Sequence, residues 1–574
     1  MTPAVPTPPP IVHAGPDIYG PPHAPRAKLR THEVINQAKP FADVNLFDIY
    51  PALGEMLEAS AAGWARPRVQ AFGELFGSGR MLEMGAISNR DVPRLRLRDL
   101  YGNRLDEIDF SPAHHELMAN LVAHEVGSLA WRHRLQPGAH AAQCALQLLG
   151  YAAEGGAMTG MCMTYAAPAL LTMDPDLSRD WMPLILSTDY DPRYLPRSRK
   201  RYAITGLLTT EKQGGSDLRR NTTRAEAIVG GGSGREYALT GHKWYCSQAQ
   251  ADSFIMLANT EAGPTAFFMP RWLPDDSRNA FEILALKEKM GNRSNPTGEM
   301  EFDGTWAVRI GDEGRGIRTV MHYLRYSRLG FTIAPAGLMR QALVYAIHFA
   351  RHRQAFGARL ADKPLMRNVL ADMALESEAA TALAMRVARS YDEADAGDRQ
   401  ADAFSRIAVA ISKYWNNKRA MAFLGEAMES MGAQGYNEDS PMPRLYRELH
   451  YNCIGEGPGN VICLDVLRAM TTDKDAYPAL LAELRPVASA DAGLARTVDA
   501  LSKLRVEDIP EREARSFVET LATALQAALL IQHAPSFVAD AFVASRLDRG
   551  RGFAFGTLPR GAADQQIIER AYPV

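Results

Sequence analysis

Only five cysteines occur in the 574 residues: Cys144, Cys162, Cys246, Cys453 and Cys463. An odd number with no CxxC spacing excludes a disulfide scaffold and a structural zinc site, and fits a reducing, cytoplasmic compartment. Long hydrophobic runs are absent too. The most apolar stretch, Leu521–Ile531, is interrupted by Thr523 and Gln526 and falls short of the ~18 to 20 residues that span a bilayer. Neither sign of charge dominates: 64 Lys and Arg against 66 Asp and Glu leave −2, which removes any whole-chain argument for a polyanionic partner. No GxGxxG follows a strand pattern, which speaks against a Rossmann dinucleotide site. The first thirty residues hold nine of the 35 prolines but lack the basic start and apolar core of a signal peptide. They read as part of an N-terminal arm over residues 1–45, either extended across a partner subunit or a floppy tail.

Hydrophobic spacing divides the rest. From about Leu46 to Asp189 apolar residues recur three and four apart, as in Pro112–His133 and Ala139–Gly150, so a helical domain is expected over 46–200. Seven short runs follow: Arg201–Thr210, Thr223–Val229, Glu236–Ser247, Ser253–Ala258, Thr265–Pro270, Phe281–Leu286 and Thr297–Phe302. Turn residues such as Gly230-Gly231-Gly232-Ser233-Gly234 separate them, predicting a compact antiparallel barrel over 201–310. Helical spacing returns in 311–471, where Met366, Val369, Leu370 and Met373 stripe one face with Arg367, Asp372 and Glu376 off it. A further helical piece is expected over 472–574. The fold class is therefore α with an inserted all-β domain.

Three segments carry chemistry. In Thr209-Thr210-Glu211-Lys212-Gln213-Gly214-Gly215-Ser216-Asp217, paired glycines let backbone amides approach a ligand, and hydroxyls donate to acceptor edges. Taken alone, such a loop is more often a polar turn than a cofactor site. Gly241-His242-Lys243-Trp244-Tyr245-Cys246-Ser247 sets an aromatic beside a hydroxyl, suited to a planar ring or simply to a core strand. In Ile454-Gly455-Glu456-Gly457-Pro458-Gly459-Asn460 a carboxylate sits in a glycine-rich turn before the apolar helix Val461–Met470, as a functional acid or as that helix's cap.

Together and in this order, the three segments resemble the acyl-CoA dehydrogenase family, over roughly Ala141 to Met470. Arg351-His352-Arg353-Gln354-Ala355-Phe356-Gly357 is similar to the family's Arg-x-x-Phe-Gly element. The Thr-Glu-Lys-Gln-Gly-Gly-Ser-Asp form of the first motif and Met290-Gly291-Asn292-Arg293-Ser294-Asn295 look most like the AidB-type, alkylation-response branch. That resemblance implies a helical domain, a β-barrel and a four-helix bundle, with an additional C-terminal helical domain.

It also implies FAD as cofactor and an acyl-CoA-like substrate. Thr210, Gly215 and Ser216 match flavin contacts, and Tyr245, Cys246 and Ser247 match the segment lining the isoalloxazine. Arg353 and Phe356 match residues reaching the FAD of a neighbouring subunit, implying a dimer of dimers. Gly432 and Gly435 match the adenine end, and Pro458 and Asn460 the loop meeting the cofactor. Glu456 matches the base that removes a thioester α-proton while a hydride passes to the flavin; burial is expected to raise its pKa. Some relatives place their base where this chain has Ser327, which cannot serve. Arg328 resembles the family's arginine in that helix, which positions either an acyl chain or the loop of Glu456. Gly455 stands where relatives carry a large aromatic, so a wider cavity is expected. No metal is implied.

The branch further implies duplex DNA as a partner through the C-terminal region, the alternative function being a DNA-binding flavoprotein with vestigial dehydrogenase activity. Residues 471–574 carry 12 basic against 14 acidic side chains. The local basic run is Arg546, Arg549 and Arg551, and affinity for duplex requires such charges clustered on one face. A second basic cluster, Arg197-Arg199-Lys200-Arg201, reads as a solvated entry to the barrel in preference to a phosphate-binding patch.

Overall fold

The computed structural model describes residues 27–228, 235–547 and 552–573, with Pro9 and Val12. Most of the proline-rich arm, the Gly230–Gly234 turn, Arg549 and Arg551 lie outside the described residues. The chain divides into two compact units: Met84–Arg134 with Glu154–Gly330, and Met1–Glu83, Leu135–Ala153 and Phe331–Val574. These units cut across the expected segments. The 46–200 segment is shared between both, and 472–574 belongs to the same unit as the helices before it.

The first unit is built on all seven expected strands, at Thr205–Leu208, Arg224–Ala227, Glu236–Cys246, Ser253–Thr260, Gly263–Pro270, Phe281–Leu286 and Gly298–Ile310. Five of them close a ring, in which 253–260 pairs with 224–227 and with 263–270, and 236–246 pairs with 298–310. The purely antiparallel expectation is corrected: Thr205–Leu208 and Arg224–Ala227 both run parallel to Ser253–Thr260. Helices Gly155–Ala166 and Pro175–Ile185 supply Met163, Trp181 and Ile185 to a core shared with Ile255, Leu257, Phe268 and Tyr323. Trp181 meets Phe268 edge to face at 5.0 Å, an arrangement aromatic quadrupoles favour.

Part of the region read as helical is an antiparallel hairpin, Arg94–Arg98 with Arg104–Asp109. Its signal was the period-two alternation Arg94-Leu95-Arg96-Leu97-Arg98 before a turn at Gly102, which period-3.6 counting overlooks. The expected Pro112–His133 helix breaks after Ala123 and resumes at Leu129–Arg132.

The second unit is helical. Its long members include Pro364–Asp395, Arg399–Ser430 and Ala514–His533. Helix Pro364–Asp395 departs from the expected two-faced pattern, because Asp372 and Glu376 are buried at 2% and 1% exposure. The C-terminal tail covers that face: Arg546 pairs with Asp372 at 2.5 Å and Glu376 at 3.2 Å, and Asp372 accepts from the Gly556 amide. The stretch Glu511–His533 is long and apolar enough to cross a membrane, yet 72% of its most apolar window is buried inside the protein. Gln526 within it accepts from the Trp415 indole at 2.9 Å, the pattern of a core helix. The described part of the arm lies on its own chain. Phe41 packs edge-on against Tyr345 and Tyr572, and His348 Nε2 lies 2.7 Å from the Lys39 carbonyl.

Candidate functional site

On the barrel unit, the loop after Thr205–Leu208 is organised by a side chain that motif reading passed over. Glu211 is fully buried and paired with Lys243 at 2.7 Å, itself without exposure. Its carboxylate also accepts from the amides and hydroxyls of Thr222 and Thr223 and from Gln213. Burial alone would raise its pKa, but the Lys243 charge and these hydrogen bonds hold it well below the usual carboxylate range. A charge this deep is tolerated only when every lone pair is engaged. The signal for the pair was present, as Glu211 lies inside the first motif and Lys243 inside the second.

This anchor fixes the loop. Thr210 accepts from the Trp244 amide at 2.9 Å, and Leu207 bridges Ser247. A Cβ on Gly215 would fall on the Thr210 hydroxyl, so the backbone there is as close as it can come. Opposite it the register slips between Lys243 and Cys246, so Trp244 and Tyr245 together face one partner residue. This bulge turns both aromatics outward and leaves Tyr245 54% exposed. Lys212 and Lys287 flank the Trp244 ring, 5.4 and 3.2 Å from its centroid. Ser247 is half-buried, whereas Cys246 is fully buried with its thiol pushed up by burial. Cys246 therefore offers a ligand beside Tyr245 only its backbone. Ser216 is exposed at the end of the loop.

The Met290–Asn295 motif braces the same strand end. Asn295 accepts from the Gln248 side chain at 2.8 Å and donates to Asn292, and Ser294 donates to Glu154, which caps helix Gly155–Ala166. On helix Gly316–His352, Ser327 is buried and donates to the Leu324 carbonyl, and Arg328 is buried. The basic cluster is held by acids: Lys200 pairs with Asp252, Arg201 with Asp189, and Arg197 with Asp180.

On the helical unit, helix Pro441–Ile454 ends at Gly455 and helix Gly459–Thr472 begins after Pro458. Between them Glu456 is half-buried with φ at +50° and Gly457 has φ at +115°. A non-glycine residue in this left-handed region is strained by roughly 1 to 3 kcal/mol and persists only where its surroundings over-determine it. Pro458, not Glu456, occupies the N-cap position of the following helix. The wider cavity expected at Gly455 is corrected. A Cβ there would come within 2.7 Å of the Phe331 ring, so that ring already fills the space. Pro458 and Asn460 are exposed, and Asn460 accepts from Arg515 Nε at 2.8 Å.

Arg353 donates to the Asn36 carbonyl at 2.9 Å, just before a hairpin whose tip is Phe356-Gly357. Both tip residues have positive φ, and the Phe356 ring stands 96% exposed, as a type I′ turn requires of its backbone. Gly432 opens the short helix Ala433–Tyr436, and Gly435 is buried against the Met428 carbonyl. Gln37 joins that turn through Gln434 at 2.8 Å, so residues 36 and 37 tie it to the Arg353 hairpin. Arg546 is withdrawn from the expected basic run, since its side chain is 5% exposed between two acids. Among the described residues no group of acids, histidines and cysteines is arranged to hold a metal.

A barrel followed by a helical bundle, with a carboxylate in a glycine turn, defines a class that comparison identifies. Residues 206–305 match the acyl-CoA dehydrogenase middle domain and residues 314–471 its C-terminal domain. Residues 36–192 match the adaptive response protein AidB N-terminal domain. AidB of Escherichia coli (strain K12) is 40% identical over 479 residues, covering 83% of this chain and 87% of that protein. The chain belongs to the acyl-CoA dehydrogenase family of flavin-dependent, dehydrogenase-like enzymes, in its AidB branch. Acyl-CoA dehydrogenase family member 11 of Caenorhabditis elegans is 26% identical over 506 residues, 85% of this chain and 80% of that protein. The crystal structure of C. elegans ACDH-11 in complex with C11-CoA shares the fold with a TM-score of 0.80 at 24% identity, covering 96% of this chain and 94% of that one. Butyryl-CoA dehydrogenase from Megasphaera elsdenii does so with a TM-score of 0.54 at 21% identity, over 68% and 96%.

Proposed function

We propose that the chain is an FAD-dependent oxidoreductase acting on a CoA thioester, with Glu456 as its base. The observation that carries this reading is the turn itself. A half-buried carboxylate is held in a strained conformation between two helices, and the following helix has its N-cap elsewhere. Such strain persists where positioning matters. In the reaction Glu456 takes the α-hydrogen as a proton, a hydride leaves the β-carbon, and the electron pair freed at Cα forms the Cα–Cβ double bond. FAD, when bound, supplies the hydride acceptor.

The barrel face suits that group. The Gly215 backbone is packed as near the Thr210 hydroxyl as contact allows, Thr210, Ser216 and Ser247 carry hydroxyls that can donate, and Tyr245 is exposed on the strand that pairs with Thr210. Thr210, Gly215, Ser216, Tyr245 and Ser247 would hold the flavin, with Cys246 contributing backbone. Arg353, Phe356, Gly432, Gly435, Pro458 and Asn460 would complete its binding, the exposed Phe356 tip serving a neighbouring copy in a dimer of dimers. Arg328 and Gly455 are assigned to the acyl group. A C11 thioester is a rational first probe, given the complex formed by the C. elegans relative.

The test is anaerobic titration of the yellow protein with an acyl-CoA series. Bleaching of the flavin band is expected, and Glu456→Gln should abolish it while the protein stays yellow. Full bleaching in that variant overturns the assignment. Duplex DNA binding through the C-terminal region has less support, because Arg546 is buried and Lys503, Arg505 and Arg512 are each paired with a neighbouring acid. Retention of duplex on a filter at low salt, lost as salt rises, would favour it.

A further inference from the structure

A buried cation lies beside the Glu456 turn. Lys413, on helix Arg399–Ser430, is 1% exposed, and its Nζ donates to the Gly457 carbonyl at 2.5 Å. That carbonyl belongs to the residue directly after Glu456. Burying an ammonium is costly, and a carbonyl needs only a neutral donor. The same helix shows the cheaper solution one turn on, where the Asn417 amide donates to the Phe331 carbonyl at 2.9 Å. The cation thus sits at the carbonyl that flanks the carboxylate, and an amide serves the carbonyl that does not.

The surroundings fix the ammonium in place. Phe331, whose ring closes the space at Gly455, lies 5.9 Å from Nζ. Tyr414 and Lys418 flank Gly459. Other titratable or charged groups packed around the turn are Tyr451 and Cys453 on helix Pro441–Ile454, Cys463 on Gly459–Thr472, and Arg515 and Glu519 on Ala514–His533. The Lys413 charge already reaches one of them. Burial pushes the Cys453 thiol up, and Lys418 and Lys413 oppose that rise.

We propose that Lys413 is a positioning residue for the base. Its hydrogen bond to Gly457 holds the left-handed turn at Glu456, and its fixed charge keeps the carboxylate ionised when an acyl chain displaces water. This rests on Glu456 being the base.

The test uses the full-length, FAD-loaded protein with C11-CoA and an artificial electron acceptor, comparing Lys413→Met, Lys413→Gln and Lys413→Arg. Removing a nearby positive charge raises a carboxyl pKa, so the acidic limb of the kcat profile should move up by about one pH unit in Met and Gln. Lys413→Arg should restore it, and KM should change less than kcat. A second readout needs no turnover: an infrared pH titration of the carboxyl band that Glu456→Gln removes should show the same displacement. An unmoved limb and band in folded Lys413→Met or Lys413→Gln overturn the proposal. So does failure of all three variants to fold, which would assign Lys413 to the core alone. Glu456→Gln is assayed in parallel. If it turns over fully, the base assignment falls. If it is inactive while the Lys413 variants titrate as wild type, only the present inference falls.

Discussion

Glu211 and Lys243 meet at 2.7 Å with neither side chain exposed, joining the loop of one motif to the strand of another. Lys243→Met alone would strand a buried carboxylate, and a loss of about 3 to 5 kcal/mol is expected. Combining it with Glu211→Leu should recover much of that loss, because an apolar pair has no charge to desolvate. Urea unfolding of wild type and the two variants measures both.

The pair also sets a pH dependence. The folded pKa of Glu211 lies below its unfolded value, so its contribution is complete above the ordinary carboxylate range. It is lost as pH falls through the folded value. Glu376 behaves alike: burial opposes ionisation, but Arg419 and Arg546 hold its pKa down to about 2. Wild type should therefore lose stability steeply between about pH 4.5 and 2, whereas Glu376→Gln should show a flatter limb there. Thermal melts across that range decide it.

Arg546→Met tests whether the expected basic run has a structural duty. It would leave Asp372 and Glu376 facing each other with one cation fewer, at a cost of about 3 to 5 kcal/mol. Since Arg546 is buried, any retention of duplex on filters should be unchanged in whatever fraction folds.

Gly215→Ala should impair cofactor retention more than stability. The new methyl group collides with the Thr210 hydroxyl, so one of them must shift on the face assigned to the flavin. About a tenfold weaker FAD affinity, roughly 1.4 kcal/mol, is expected. The measure is flavin absorbance per protein after dialysis, and Gly215→Ala with Thr210→Ser should bind no better.

At Gly455 the expected outcome is different. A methyl group pressed on the Phe331 ring should cost about 1 to 3 kcal/mol as overpacking. Adding Phe331→Leu should relieve it. The urea midpoints of the single and double variants provide the comparison.

Much of this was legible from local pattern. The seven strands announced themselves through alternation and turn residues, and the glycine turn around Glu456 through composition. The hairpin at Arg94–Asp109 was hidden by a helical neighbourhood, although its alternation was plain. The two parallel pairings, the burial of Asp372 and Glu376, and the withdrawal of Arg546 from solvent were not legible. Each depends on segments distant in the chain, as Arg224 is from Asn259 and Asp372 from Arg546, which periodicity does not register. Gly455 misled for the same reason. What fills the space beside it comes from Phe331, on a different helix.

Arg570, on the last described helix, grips Glu55 near the chain's beginning and Glu378 in its middle. A ribosome delivers these three partners in sequence, Glu55 first and Arg570 last. Every segment of the barrel unit lies at or before Gly330, so all of it is synthesised before that arginine. The helical unit has to wait for its closing arginine, and until then the Glu378 carboxylate lacks the guanidinium that covers it in the folded chain.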